Sequence, residues 1–177
     1  GASLSGLLDG PADARVGLVL AHGAGADMHH PSMVALATGL AARGVAVLRY
    51  QFPYTERGGR RPDVPAVAQA AVRAAVAAAT TLRPRTTWYA GGRSFGGRMT
   101  SQAQAKAPLD GVKGLAFFGF PLHPAGKPSI DRAAHLAEVK MPMLFLQGDR
   151  DALAELGLLR AALAPLGDRA TLVVFDD

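Results

Sequence analysis

The sequence predicts a three-layer α/β fold built on a doubly wound, mostly parallel sheet. Three observations lead there. Short apolar runs alternate along the chain with longer amphipathic ones. The apolar runs are continuous rather than every-other-residue, which suits strands covered on both faces. The spacing between them leaves room for a helix each time, so successive strands are joined by right-handed crossovers and run parallel.

Taken in order, residues 16–21, 45–50, 86–90, 115–120, 143–147 and 171–175 read as six strands. The clearest helix covers 64–82. There Val67, Ala68, Ala71, Val72, Ala75, Val76 and Ala79 recur at three-and-four spacing on one face, and prolines punctuate both ends. Further helices are expected over 32–42, 95–106 and 152–163, with 121–128 as the longest irregular segment. There is no internal repeat and no linker, so residues 1–177 are expected to form a single domain. With 177 residues the chain is long enough to bury a substantial core.

Composition excludes several functions. No cysteine is present, which removes disulfides, thiolate metal sites and thiol catalysis. The net charge of +5 comes with 15 arginines among 19 basic residues, yet the only dense basic stretch is Arg57-Gly58-Gly59-Arg60-Arg61. That is too short for a nucleic-acid arm, so no nucleic-acid partner is expected. No run approaches the ~20 apolar residues of a membrane span, and no secretory leader pattern opens the chain. A cytoplasmic location and no membrane partner are the corresponding expectations. A start at Gly1 without methionine points to a trimmed terminus.

In such sheets ligands gather at the carboxyl ends of the strands, so the residues just after each strand carry the chemistry. After the third predicted strand comes Gly92-Arg93-Ser94-Phe95-Gly96, followed by a helix. This Gly-x-Ser-x-Gly spacing matches a nucleophile turn, in which a sharp strand-to-helix bend projects the hydroxyl and leaves no room for side chains two positions either side. The competing reading is a helix-capping serine. A phosphate loop is disfavoured because no Lys-Ser/Thr ending follows. After the first strand comes His22-Gly23-Ala24-Gly25-Ala26-Asp27, whose backbone can bring an N–H to an oxyanion. Ala24 is the first choice for that donor, Gly25 the second, and Phe95, just after the serine, supplies the other N–H. His22 reads as a brace for this loop. Adjacent His29 and His30 point in different directions and match no ligand cluster, so no metal is expected.

After the fifth strand, Gln147-Gly148-Asp149-Arg150-Asp151 offers the acid that orients a base. Asp151 is preferred over Asp149, and it is also a natural N-cap for the next helix. A serine, acid, histidine order places the base after the last strand. All five histidines precede Asp151, so the base is expected beyond residue 177, and the domain is expected to be incomplete at its C-terminus. His123 follows the fourth strand and is expected to line the pocket with His22, Gly25, Tyr50 and Tyr54. His135 is assigned to a helix as a surface or packing residue. With no long insertion after the fourth strand, no large lid is expected. Arg57, Arg60 and Arg61, if folded over the pocket, would favour an acidic acyl group, although solvated loop arginines are the more frequent case.

Four segments occur together and in order: residues 22–28, 49–54, 91–99 and 146–151. This set resembles the small α/β-hydrolase group that includes the testis-expressed protein thirty and the hydrolase-like part of a KAT8 regulatory subunit. More distantly it is similar to dienelactone hydrolases. The resemblance implies an α/β-hydrolase fold, Ser94 as nucleophile, Asp151 as acid and a histidine soon after the last strand. The expected activity is hydrolysis of an ester, thioester or related acyl bond of a small-molecule substrate, with no cofactor. The alternative is a catalytically silent binding module of the same fold.

Overall fold

The computed structural model describes residues 3–176. In chain order the strands are β1 (Gly6–Asp9), β2 (Val16–Ala21), β3 (Val45–Tyr50), β4 (Thr87–Arg93), β5 (Val112–Phe118), β6 (Met143–Gly148) and β7 (Ala170–Phe175). The helices are α1 (Pro31–Ala41), α2 (Pro53–Glu56), α3 (Pro65–Leu82), α4 (Phe95–Lys106) and α5 (Leu156–Leu163), with 3₁₀ segments at Asp131–Glu138 and Ala164–Arg169. The sheet runs β1-β3-β2-β4-β5-β6-β7, and only the β1–β3 pair is antiparallel.

β1 is the strand that periodicity does not reveal. Its Gly-Leu-Leu-Asp holds two apolar residues, too few to form a pattern, and it exists because the edge of β3 offers a free ladder. Arg49, buried on β3, then pins it. Its Nε lies 2.9 Å from Asp9 Oδ2 and its Nη2 3.1 Å from Oδ1, while Nη1 donates to Met28 O at 2.5 Å.

Other boundaries shift for local reasons. β5 ends at Phe118, two residues before the predicted limit, because Gly119 turns the chain at φ 72°. β4 runs on through Gly91 and Gly92, since a Cβ on either would run into the backbone oxygen of Ala116 or Ala21. The last helix begins at Leu156 rather than 152. Asp151 folds the intervening residues into a turn, its carboxylate accepting from Leu153 N–H at 2.9 Å and its carbonyl from Ala154 N–H at 3.0 Å.

Alternate residues of the central strands feed two cores. Leu18, Leu20 and Val47 meet Met33 and Ala37 of α1 on one face. Val19, Ala21, Ala46, Leu48 and Ala90 face the larger core beneath α3 and α4. α3, with a mean hydropathy of 1.2, is long and apolar enough by composition to cross a membrane. In this fold it buries Ala68, Ala71, Val72, Ala75, Val76 and Ala79 instead.

The order of strands decides where chemistry is possible. From β2 the chain moves outward to β3, then crosses back over β2 to β4 and continues to β7. The reversal leaves β2 and β4 as neighbours whose outgoing loops diverge, and a crevice opens at their carboxyl ends.

Candidate active site

Parallel pairing of β2 with β4 aligns Ala21 with Gly92, so the residues leaving both strands meet. A Cβ on Gly23 would sit 3.6 Å from Arg93 O and 3.8 Å from Ser94 Cβ. Ser94 itself has φ 48° and ψ −116°, and it is the only non-glycine residue with positive φ among those described. Backbone strain of this kind costs on the order of 1–3 kcal/mol and persists only where the surroundings over-determine it. They do so here. A Cβ at Gly96 would lie 2.5 Å from His22 O, and one at Gly97 2.7 Å from Gly92 O. The need for glycine at 91 and 97 goes beyond the Gly-x-Ser-x-Gly pattern and comes from strand β5 and the tight entry to α4.

Ser94 is partly exposed and is the N-cap residue of α4 by position, but its side chain makes no capping hydrogen bond. Among the described residues its hydroxyl meets no hydrogen-bond partner, and neither the Phe95 nor the Ala24 N–H donates to any acceptor. The Gly23 carbonyl, by contrast, is heavily engaged. It accepts from Ala26 N–H at 3.3 Å and from the Tyr54 hydroxyl at 3.4 Å, and lies 2.9 Å from His22 Nδ1. That carbonyl shares one planar peptide unit with the Ala24 N–H, so fixing the one fixes the other.

His22 is fully buried, with Nε2 accepting from Phe52 N–H at 3.2 Å. Nδ1 must therefore be the protonated nitrogen that donates to Gly23 O. Burial pushes its pKa below the usual 6.5, with the Gly23 hydrogen bond and Asp27 opposing. With its basic lone pair occupied, His22 ties the loop after β2 to that after β3 and lines no open surface. His123 does the equivalent elsewhere. It is 4% exposed, Nε2 accepts from Glu155 N–H at 3.0 Å and Nδ1 lies 2.9 Å from Pro124 O. These bonds hold the ring inside, joining the loops after β5 and β6. Tyr50 is likewise buried. Its ring is 3% exposed and borders a separate cavity of about 440 Å³ between β1, β3 and α3, while complete burial of the hydroxyl pushes its pKa up. Gly25 and Tyr54 do border a cavity beside the loop after β2.

Asp151 sits over the end of β5. A Cβ on Gly119 would lie 3.4 Å from its Oδ2. That oxygen accepts from Gln147 Nε2 at 2.6 Å, and Gln147 Oε1 accepts from Phe120 N–H at 2.9 Å. Gln147 is fully buried. Its role was hidden in the sequence, where it ends an apolar strand; a lone amide at the close of such a run is the signal that could have marked it. Asp149 points elsewhere. It is exposed, its Oδ1 lies 3.7 Å from Arg150 Nε, and its N–H donates to Phe175 O on β7. Asp151 is not the N-cap of α5, a position held by Glu155. No group of three or more histidine or acidic side chains able to hold a metal occurs among the described residues.

A strained serine at the strand-crossing crevice, two uncommitted amides and a carboxylate two strands away define the architecture of an α/β hydrolase. The chain belongs to that family: residues 14–177 match the family described as Alpha/beta hydrolase domain. Solved structures agree on the fold. A dienelactone hydrolase from Anabaena variabilis is 22% identical, with a TM-score of 0.79, over 98% of this chain and 80% of that one. An alpha-beta serine hydrolase homologue from Coxiella burnetii is 18% identical, with a TM-score of 0.78, over 98% and 81%. A serine hydrolase without lid from Xanthomonas campestris is 24% identical, with a TM-score of 0.74, over 98% and 78%.

Proposed function

We propose that the protein is a serine hydrolase cleaving an ester, thioester or related acyl bond. Ser94 Oγ attacks the acyl carbonyl, and its proton passes to a histidine oriented by Asp151. The carbonyl oxygen, now an oxyanion, takes hydrogen bonds from the Ala24 and Phe95 N–H groups. The proton returns to the leaving group, and water then releases the acyl enzyme by the same steps. The observation that carries this reading is the strained Ser94, its hydroxyl uncommitted and its Cβ beside the Gly23 turn. We place the histidine beyond residue 177, in keeping with a serine, acid, histidine order; His22 and His123 brace loops, His30 caps α1 and His135 bonds Ser101. Placement in the small group with testis-expressed protein thirty belongs to the same proposal.

A silent binding module is the second reading. It is favoured by one observation: no histidine bonds the Asp151 carboxylate among the described residues. A fluorophosphonate probe on full-length protein separates the two. The hydrolase reading expects stoichiometric labelling that vanishes in Ser94→Ala and slows at least a hundredfold in Asp151→Asn. No labelling of a folded full-length protein establishes the second, and equal labelling of wild type and Ser94→Ala removes Ser94 from the role given to it here.

A further inference from the structure

The cavity bordered by Gly25 has a volume of about 490 Å³ and begins two residues along the loop from Gly23, where an added Cβ would lie 3.8 Å from Ser94 Cβ. Its walls mix polar and apolar groups. Asp27, His29, Thr55 and Arg60 line it together with Tyr54, and no leucine, isoleucine, valine, methionine or phenylalanine does. The apolar cavities lie elsewhere, one beneath α3 and one across the outer face of β2, β4, β5 and β6.

The two charged side chains narrow the choice further. Arg60 and Asp27 border the same space without forming an ion pair. Arg60 meets no acceptor among the described residues, whereas its neighbour Arg57 is committed to Asp63 at 2.6 Å. Asp27 Oδ1 accepts from His29 N–H at 2.8 Å, which leaves Oδ2 to accept from a ligand. A carboxylate ligand would gain Arg60 but face Asp27, and an ammonium would meet the reverse. A neutral group with several hydroxyls satisfies both, each O–H donating to Asp27 and accepting from Arg60.

Resting on the hydrolase reading above, we infer that this cavity receives a polyhydroxylated alcohol portion of the substrate, of glycerol or sugar type, held between Asp27 and Arg60. Both residues act on specificity.

The test reads binding apart from turnover. Ser94→Ala protein is titrated with glyceryl monobutyrate, propyl butyrate and monobutyl succinate, followed by amide NMR. The glyceryl ester is expected to bind about tenfold more tightly than propyl butyrate, as two hydrogen bonds would give. Its shifts should fall within residues 25–31 and 54–60, and the advantage should disappear in Asp27→Asn and in Arg60→Leu, each made in the Ser94→Ala background. Equal or tighter binding of propyl butyrate or of the succinate overturns the inference, as do shifts confined to other residues. Failure of the hydrolase reading registers separately, as absence of Ser94-dependent turnover of glyceryl monobutyrate by wild-type protein.

Discussion

At residue 94 the strain is local and the cause lies in its neighbours. The serine holds φ 48° because glycines let the chain pass within van der Waals contact of β2 and β5. Gly96→Ala places a methyl 2.5 Å from His22 O and 2.7 Å from the Ala21 carbonyl carbon at the end of β2. Overpacking of this kind costs about 1–3 kcal/mol, and the rigid backbone puts this case at the upper end. Urea unfolding should show that loss, and Ser94 labelling should fall with it. Gln147 has the opposite character, since its removal leaves space and unmet bonds. Gln147→Leu strands the Phe120 N–H and one Asp151 oxygen, at a cost of roughly 1–3 kcal/mol. Gln147→Glu should be the worse substitution near neutral pH, because a second carboxylate then faces Asp151 at 2.6 Å in place of an amide donor. Denaturation midpoints of the two variants at pH 5 and pH 8 check this. The Glu variant should regain stability at the lower pH, and the Leu variant should not.

Between elements, polar contacts decide what docks where. The 3₁₀ segment Asp131–Glu138 lies against α4, with His135 Nε2 2.7 Å from Ser101 Oγ. Burial, and then the Arg98 guanidinium, push the His135 pKa down to about 4. Arg98 is itself pressed by Arg132, so the pocket around the imidazole is already cationic. An unfolded chain titrates this histidine near 6.5. Between pH 6.5 and about 4 the unfolded state therefore binds a proton that the folded state refuses. Stability is full above pH 6.5, declines as pH falls through that window and levels off below about 4. His22 contributes in the same direction, so the measurement is a difference: His135→Gln should show a shallower loss of Tm than wild type between pH 6.5 and 4. The Arg49–Asp9 pair holds β1 against β3. Asp9→Asn leaves a buried guanidinium without its carboxylate, a loss of about 3 kcal/mol by analogy with other buried pairs. Hydrogen exchange should then show β1 opening before the rest of the sheet.

Across the whole molecule, the sheet is a rigid frame whose packing leaves little tolerance. The single tryptophan, Trp88, is 1% exposed and lies flat enough over β2 that a Cβ on Gly17 would fall 2.5 Å from its ring. Gly17→Ala should therefore cost about 1–3 kcal/mol and shift the Trp88 emission, which reports global unfolding in the same experiment. Aromatic contacts continue this frame, Phe117, Phe120 and Phe145 meeting at centroid distances of 4.7–5.7 Å beneath the Asp151 turn.

The parallel sheet, its principal helices and the bend at Ser94 were legible in the sequence, because each rests on a short-range rule. Continuous apolar runs reveal covered strands, three-and-four spacing reveals helix faces, and Gly92 and Gly96 reveal a turn that admits no side chain. β1 was not legible, since two leucines carry no period and its existence depends on an edge formed forty residues later. The placement of His123 and Tyr50 was not legible for a related reason: proximity along the chain said they follow or end strands, but which way each ring turns was set by partners such as Glu155 N–H and the core of α3. Gln147 and the Asp27–Arg60 cavity belong to the same class. Local sequence determines which backbone segments form, because those energies come from neighbours along the chain. Which side chains converge is decided by strand order and loop docking, where hydrogen bonds join residues tens of positions apart.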